Sequence, residues 1–284
     1  MSVLSDAPLP LAASHAPGIY AGIPIDDYHS DRTTLSSSGA RMLLDPSCPR
    51  KFRYAMDHPE PPKLHFELGT AAHTKLLGDG PELRVCDYDS WRSNAAQAEK
   101  LAAEADGAVA LLPKHERELD EMVRVVREHP DAGPLLAPGS GVAEQSLYWL
   151  HRDTGVTLRA RPDWLRRDRV VDYKTGTRAD LAGISKDVAN FGYHVQDAWY
   201  RTAVEVLGLC PPIFTFVLQE KTPPYLITVF ELDKPAVDRG RQLMQRAIWT
   251  YAECTASGDW PDYMADAFPR IPEISLPSWA ERDF

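Results

Sequence analysis

The chain has 284 residues, 44% of them hydrophobic and 25% charged, a balance that excludes a disordered chain, a collagen-like repeat and a coiled coil. Its formal net charge of −10 argues for a soluble protein and against a passive nucleic-acid coat, which would be basic. No apolar run approaches the roughly 20 residues that cross a bilayer, so no membrane partner is expected. The start of the chain also lacks the basic and apolar regions of a signal peptide.

Residues 1–17 therefore read as a flexible leader, and the expected location is the cytoplasm. Leu35-Ser-Ser-Ser-Gly-Ala-Arg-Met-Leu-Leu44 combines a capping serine with apolar periodicity, the signature of a helix start, and Asp45-Pro46 ends it. Cys48 to Tyr54 begins a second short helix, and the prolines between His58 and Pro62 make a connector. Phe66 to Leu77 reads as a helix whose small residues allow close packing. Trp91 to His129 suggests helices and loops beside a sheet, with Pro113 as an interruption.

The periodicity then shifts to that of strands. Glu144 to Leu150, Val156 to Arg161 and Arg169 to Lys174 are three predicted strands, the first two joined by the turn His151 to Gly155. A helical pattern covers Asp187 to Leu207, strands cover Ile213 to Leu218 and Tyr225 to Phe230, and a last helix covers Asp233 to Ala256. The proline- and aromatic-rich residues 257–284 read as a surface tail. The order predicts one α/β domain over 18–284, with a helical part at 35–130 and a mixed-sheet core at 142–256. Cys48, Cys86, Cys210 and Cys254 form no CxxC pair, so four reduced thiols are expected and a structural zinc site is not.

The chemistry is concentrated between Arg161 and Gly176. Residues two apart on a strand share a face, so Asp172 and Lys174 point one way while Val171 and Tyr173 point the other. The turn at Arg166 to Asp168 folds Asp163 back toward Asp172, and two carboxylates so placed invite a hard divalent cation. Taken alone, these residues fit either a charged surface hairpin or a metal site with a water-activating lysine. His73 sits among small residues that let another element approach its ring. Gln196 and Tyr200, four apart, share one helical face, as core-edge polar residues also do. Glu144 opens the first strand, as a site acid or as a solvated strand end.

In this order, Gly69-Thr-Ala-Ala-His73, Asp163, Asp172-Tyr-Lys174 and Gln196-xxx-Tyr200 resemble the PD-(D/E)XK nuclease superfamily in its RecB-like branch. Within that branch, Leu35-Ser-Ser-Ser, Phe66-x-Leu-Gly-Thr-Ala-Ala-His73, Gly192-Tyr-His-Val-Gln196-Asp-Ala-Trp-Tyr200, Trp260-Pro and Leu276-Pro-Ser-Trp-Ala280 are most similar to phage-type exonuclease VIII, the RecE nuclease domain. The resemblance implies a restriction-endonuclease-like α/β core, with a mixed central sheet flanked by helices. It implies that Asp163 and Asp172 bind metal, that His73 adds a ligand, and that Lys174 orients or helps deprotonate the attacking water. Gln196 and Tyr200 become the auxiliary pair that supports the site or contacts DNA, and Glu144 an additional catalytic acid. The cofactor implied is Mg²⁺, with Mn²⁺ as substitute. Cys48-Pro-Arg-Lys-Phe52 resembles the start of an iron–sulfur motif, but three further clustered cysteines are needed and only Cys254 lies near the C-terminus, so no cluster is expected.

The implied activity is 5′→3′ exonuclease action on linear double-stranded DNA in phage-type recombination. The resemblance also implies a homo-oligomeric ring and a single-strand annealing recombinase as partner. Arg41, Arg50, Lys51 and Arg53 form one basic cluster and Arg159, Arg161, Arg166, Arg167 and Arg169 a second. As sets beside a metal site they are expected to grip phosphates, with Arg159, Arg161, Arg41 and Lys51 foremost. A structure-specific or single-strand endonuclease, a catalytically silent DNA-binding module and a hydrolase of small phosphorylated substrates stay open as alternatives. A GxxxxGK[ST] phosphate loop is absent.

Overall fold

The structure, a computed structural model, describes residues 15–59, 67–265 and 271–276. Most of the expected leader, Phe66, much of the proline-rich connector and most of the Leu276–Ala280 motif lie outside the described residues. In chain order, strand β1 (Gly18–Tyr20) and helix α1 (Ile25–Ser30) precede β2 (Leu35–Ser36), α2 (Ser37–Met42) and α3 (Pro49–Asp57). Then come α4 (Leu68–Leu77), β3 (Leu83–Val85), α5 (Asn94–Ala105), β4 (Val109–Leu111), α6 (Pro113–Glu128) and α7 (Ala132–Leu135). The strand-rich part runs β5 (Val142–Ala143), β6 (Ser146–Leu150), β7 (Thr157–Ala160), β8 (Trp164–Leu165) and β9 (Val170–Gly176). Helices α8 (Leu181–Asn190) and α9 (Tyr193–Leu207), strands β10 (Phe214–Glu220) and β11 (Ile227–Phe230), and helix α10 (Lys234–Ser257) complete it.

Local chemistry explains the boundaries. Ser36 caps α2 by accepting from the Gly39 N–H at 3.2 Å, and Asp233 caps α10 through the Ala236 N–H at 2.9 Å. Pro113 opens α6 rather than interrupting a helix, since the first turn needs no N–H from it. The single helix expected over Asp187 to Leu207 is two helices, because Gly192 takes a left-handed φ of 65° between them. A Cβ at Gly192 would lie 2.8 Å from Cδ of Arg41, whose guanidinium donates to the Phe191 carbonyl at 2.6 Å. The short strands β1, β3 and β4 carry no clear alternation and are not read from the sequence.

The sheet core is divided rather than continuous. Of the two larger sheets one has the order β1-β6-β7-β2 and the other β11-β10-β9-β8-β5, with β9 and β10 parallel, while β3 and β4 pair separately. Alternation along the central strands separates two apolar layers. Val170, Phe214 and Phe216 pack with Trp199, Val204 and Met244 of α9 and α10. Val171, Tyr173 and Val217 pack on the opposite face with Leu76, Leu119 and Met122 of α4 and α6.

The two sheets are linked by a hairpin that breaks without losing register. On one side of the break Ala143 pairs with Trp164, and four residues on Leu147 pairs with Ala160. Glu144 therefore stands opposite Asp163, and Pro162, with no N–H, cannot continue the ladder.

Arg159 and Arg161, expected to grip phosphate, face the interior. Arg159 donates to the Asp31 carbonyl and to Thr34 Oγ1, both at 2.6 Å, and lies 3.4 Å from Asp31 Oδ2. Arg161 donates to Ser146 Oγ at 2.7 Å and to the Ile23 carbonyl at 2.6 Å. Both guanidinium groups lie over the ring of Tyr28, at 5.0 and 4.4 Å from its centroid. The expectation fails because alternation turns both side chains toward the N-terminal arm, where buried carbonyls and Asp31 need donors. Arg159→Ala is expected to lower unfolding free energy by about 3–5 kcal/mol by removing one partner of a buried ion pair and the donor of the Asp31 carbonyl. Urea unfolding followed by fluorescence checks this.

Candidate active site

The break in the hairpin is where the acids gather. Glu144 has a left-handed φ of 50°, which a non-glycine residue rarely adopts, and its N–H reaches the Asp163 carbonyl at 3.4 Å. Trp164 pairs with Val171, so Asp163 comes next to Asp172 in the same register. Glu144, Asp163 and Asp172 thus lie in one row across three neighbouring chain segments. Where the ladder fails beside Pro162, Asp163 Oδ2 accepts the Tyr173 N–H at 2.8 Å, which locks the carboxylate to the central strand.

His73 comes to this row from α4. Gly69 permits the approach: a Cβ there would lie 2.4 Å from Thr175 Oγ1 at the end of β9. His73 Nε2 lies 3.2 Å from Asp163 Oδ2 and 3.8 Å from Glu144 Oε1. Donor atoms of His73, Glu144 and Asp163 all fall within 4.8 Å of one another, a spacing that could hold a metal ion.

Asp172 is held from the other side. Gln196 Nε2 on α9 donates to its Oδ1 at 2.7 Å. The Lys174 ammonium lies 2.6 Å from Oδ2 and pairs with it. Tyr200, also on α9, does not reach the carboxylates. Its hydroxyl donates to the Arg161 carbonyl at 2.9 Å and braces the chain two residues before Asp163. Trp199 Nε1 does the same for the Arg159 carbonyl at 2.9 Å. The structure thus brings His73, Glu144 and Asp163 together, with Asp172, Lys174 and Gln196 adjoining. It keeps Tyr200 behind them.

Of the basic residues, Lys51 is exposed and lies 5.0 Å from the Tyr263 ring centroid, and Arg41 holds the turn between α8 and α9. Arg50 pairs with Asp262 and Arg53 with Asp57. Arg166 and Arg169 pair with Asp168 before the start of β9, so this cluster is largely neutralised at the end remote from Lys174. The sequence reading passes over the Tyr173 N–H, which fixes the Asp163 carboxylate. A backbone donor leaves no side-chain signal, although the Gly69 spacing hints at a close approach.

Electrostatics give the row its character. Burial pushes the Glu144 carboxyl up to about 7, with the Asp163 charge adding to the effect and His73 opposing it. Burial and the Asp163 charge also raise Asp172, against the pull of Lys174. Burial acts to raise Asp163 too, but the charge and hydrogen bond of His73, then Lys174 and the Tyr173 N–H, hold it below the ordinary range. For His73, burial opposes protonation, yet the carboxylates of Asp163, Glu144 and Asp172 prevail and push it up to about 9. Burial likewise works against the Lys174 ammonium, and Asp172 and Asp163 keep it charged. Two raised carboxyls and one imidazole among hard oxygens, with donor atoms of His73, Glu144 and Asp163 gathered together, suit a divalent cation.

A broken acidic hairpin, a central Asp-x-Lys strand and a helix that clamps the aspartate define a PD-(D/E)XK-type core with restriction-endonuclease-like architecture. The chain belongs to the family described as "PDDEXK-like domain of unknown function (DUF3799)", which matches residues 64–267. No curated protein matches the sequence. Among solved structures, a protein from Eubacterium rectale named "Putative exonuclease" is similar, with a TM-score of 0.59 over 90% of this chain and 96% of that one. Sequence identity is 11%, so this likeness concerns the fold.

Two predictions follow from these groups. A divalent ion that takes His73 must displace the proton held up to about 9, so affinity should rise between pH 6 and 9. Mn²⁺ calorimetry at pH 7 in buffers of different ionisation heat should show proton release. Glu144→Gly removes both the left-handed strain and one carboxylate. It should stabilise the metal-free protein by about 1 kcal/mol and shrink the rise in melting temperature that Mn²⁺ produces.

Proposed function

We propose that the protein is a divalent-metal-dependent deoxyribonuclease that hydrolyses phosphodiester bonds. The observation that carries this reading is the row Glu144–Asp163–Asp172, with His73 against one end and Lys174 against the other. His73, Glu144 and Asp163 would hold the ion, with Asp172 Oδ2 as the further oxygen. Hard oxygen donors with one imidazole favour Mg²⁺, with Mn²⁺ as substitute. Such an ion, when bound, supplies Lewis-acid polarisation of the phosphoryl oxygen and an acidified water.

The chain's own groups do the positioning. Gln196 turns Asp172 by fixing Oδ1, which leaves Oδ2 toward Lys174. Lys174 remains an ammonium under the pull of two carboxylates. Its part is therefore to donate a hydrogen bond to the attacking water or a phosphate oxygen and to offset developing negative charge, rather than to accept a proton. Tyr200 and the Tyr173 N–H hold Asp163 in place through the Arg161 carbonyl and Oδ2.

For the substrate, we read a 5′→3′ exonuclease on linear duplex DNA that serves phage-type recombination. The RecE-like motifs support this, as does the fold shared with the Eubacterium rectale protein. A ring that encircles duplex would make processivity topological and would suit a chain of net charge −10, and a single-strand annealing recombinase would take the 3′ strand it leaves.

Linear duplex labelled at either end and covalently closed circles test the reading. Mg²⁺ should support early release of 5′ label, circles should stay closed and EDTA should stop the reaction. Linearised circles would make the enzyme an endonuclease, early release of 3′ label would reverse its polarity, and undiminished hydrolysis in EDTA would overturn the metal. Lys174→Ala should slow hydrolysis by roughly 10²–10⁴-fold while Mn²⁺ still binds.

A further inference from the structure

Between α2, the α8–α9 turn and α10 lies a cavity of about 290 Å³. Its charged lining differs in sign from the chain as a whole. Arg41, Arg239 and Arg246 face it against one carboxylate, Asp45, which is already paired with Arg246 at 2.8 Å. Arg239 is exposed, and its guanidinium meets only the Gln242 side chain, at 3.4 Å, among its hydrogen bonds. An excess of two positive charges in one concavity, on a chain of net −10, favours an anion there.

The rim of the cavity carries an aromatic ring that is largely open to solvent. Phe191 is 56% exposed although it lies at the turn between two helices. One side of its ring stacks on Tyr193 with centroids 5.8 Å apart. Tyr193 in turn has the Lys174 ammonium 5.7 Å from its centroid. The exposed ring at the cavity rim is thus linked to Lys174 at the end of β9 through the buried ring of Tyr193.

We infer that the cavity and its rim are a subsite for the nucleic-acid strand, in which Arg239 and Arg246, with Arg41 beside them, take a backbone phosphate while Phe191 stacks on the adjoining base. The inference rests on the deoxyribonuclease reading and assigns strand contacts to residues outside the carboxylate site. A cavity of this size admits a phosphate with its sugar and leaves the base for the rim. Stacking on an aromatic face tolerates every base, so the subsite engages a strand without reading its sequence.

Fluorescence anisotropy of a labelled single-stranded oligonucleotide in EDTA, from 50 to about 200 mM salt, tests the subsite without turnover. The full chain carrying Arg239→Ala with Arg246→Ala should show a logarithmic salt slope shallower by about 0.7, the share of one single-strand phosphate. Phe191→Ala should weaken binding roughly 5- to 150-fold at an unchanged slope, and Phe191→Trp should restore it. All three altered positions are exposed, and circular dichroism verifies that the variants are folded. A wild-type slope in the double variant overturns the phosphate contact, and wild-type affinity in Phe191→Ala overturns the stacking. Displacement of the oligonucleotide by an equimolar deoxynucleoside monophosphate would make the cavity a free-nucleotide site and overturn the strand assignment. Hydrolysis by the wild type in Mg²⁺ separates the two readings. Altered binding without hydrolysis keeps the subsite and sinks the nuclease, whereas hydrolysis with unaltered binding does the reverse.

Discussion

Three carboxylates held side by side in a sheet that excludes most water repel one another, and much of this structure is arranged around that repulsion. Glu144, Asp163 and Asp172 share one register line, while His73 stands against Asp163 and Glu144 and Lys174 against Asp172. The balance is one positive charge short, and it shows in the raised carboxyls of Glu144 and Asp172 and in a histidine that keeps its proton. A bound divalent ion in place of that proton would close the deficit. The same deficit explains why the arrangement needs firm backing: carboxylates that repel will part unless the backbone beneath them is fixed.

The backing is divided between two helices on opposite faces. Helix α4 approaches through Gly69 and brings the imidazole, and helix α9 supports the strands from behind. Gln196, Trp199 and Tyr200 of α9 reach in succession the Asp172 carboxylate, the Arg159 carbonyl and the Arg161 carbonyl. Each bond terminates on or beside the segment where strand pairing has been interrupted. Of the three, the Tyr200 bond satisfies a carbonyl that lies where the hairpin gives up its ladder. Glu144 shows the remaining strain directly, in its left-handed backbone.

Alternation made Asp172 and Lys174 legible as neighbours on one face, and the small residues before His73 marked a helix made for close approach. Ser36 and Asp233 announced their helix starts through the capping bonds they form. Other features follow from tertiary pairing and leave little local trace. Glu144 reads as the first residue of a strand, yet it stands in a break whose position depends on Pro162 across the hairpin. Arg159 and Arg161 read as a basic patch because charge alone does not tell which side of a strand is covered, and here an N-terminal arm covers it. The continuous helical pattern before Leu207 hides a turn that Gly192 permits and Arg41 completes. The exposed ring of Phe191 is invisible as such until that turn is placed.

The tie between the N-terminal arm and the strands has a consequence for the order of events during synthesis. The Asp31 carbonyl meets its donor on Arg159, 128 residues later, and the Ile23 carbonyl meets Arg161 after 138. At translation rates of about 5–20 residues per second, the arm leaves the ribosome roughly 6 to 28 s before its partners do. During that interval Asp31 and Tyr28 remain in water, and closing so long a loop carries its entropy cost before any contact repays it. Asp163 and Asp172 follow Arg159 and Arg161 in the chain, so the central acids of the row leave the ribosome in the same late interval as the donors that the arm awaits.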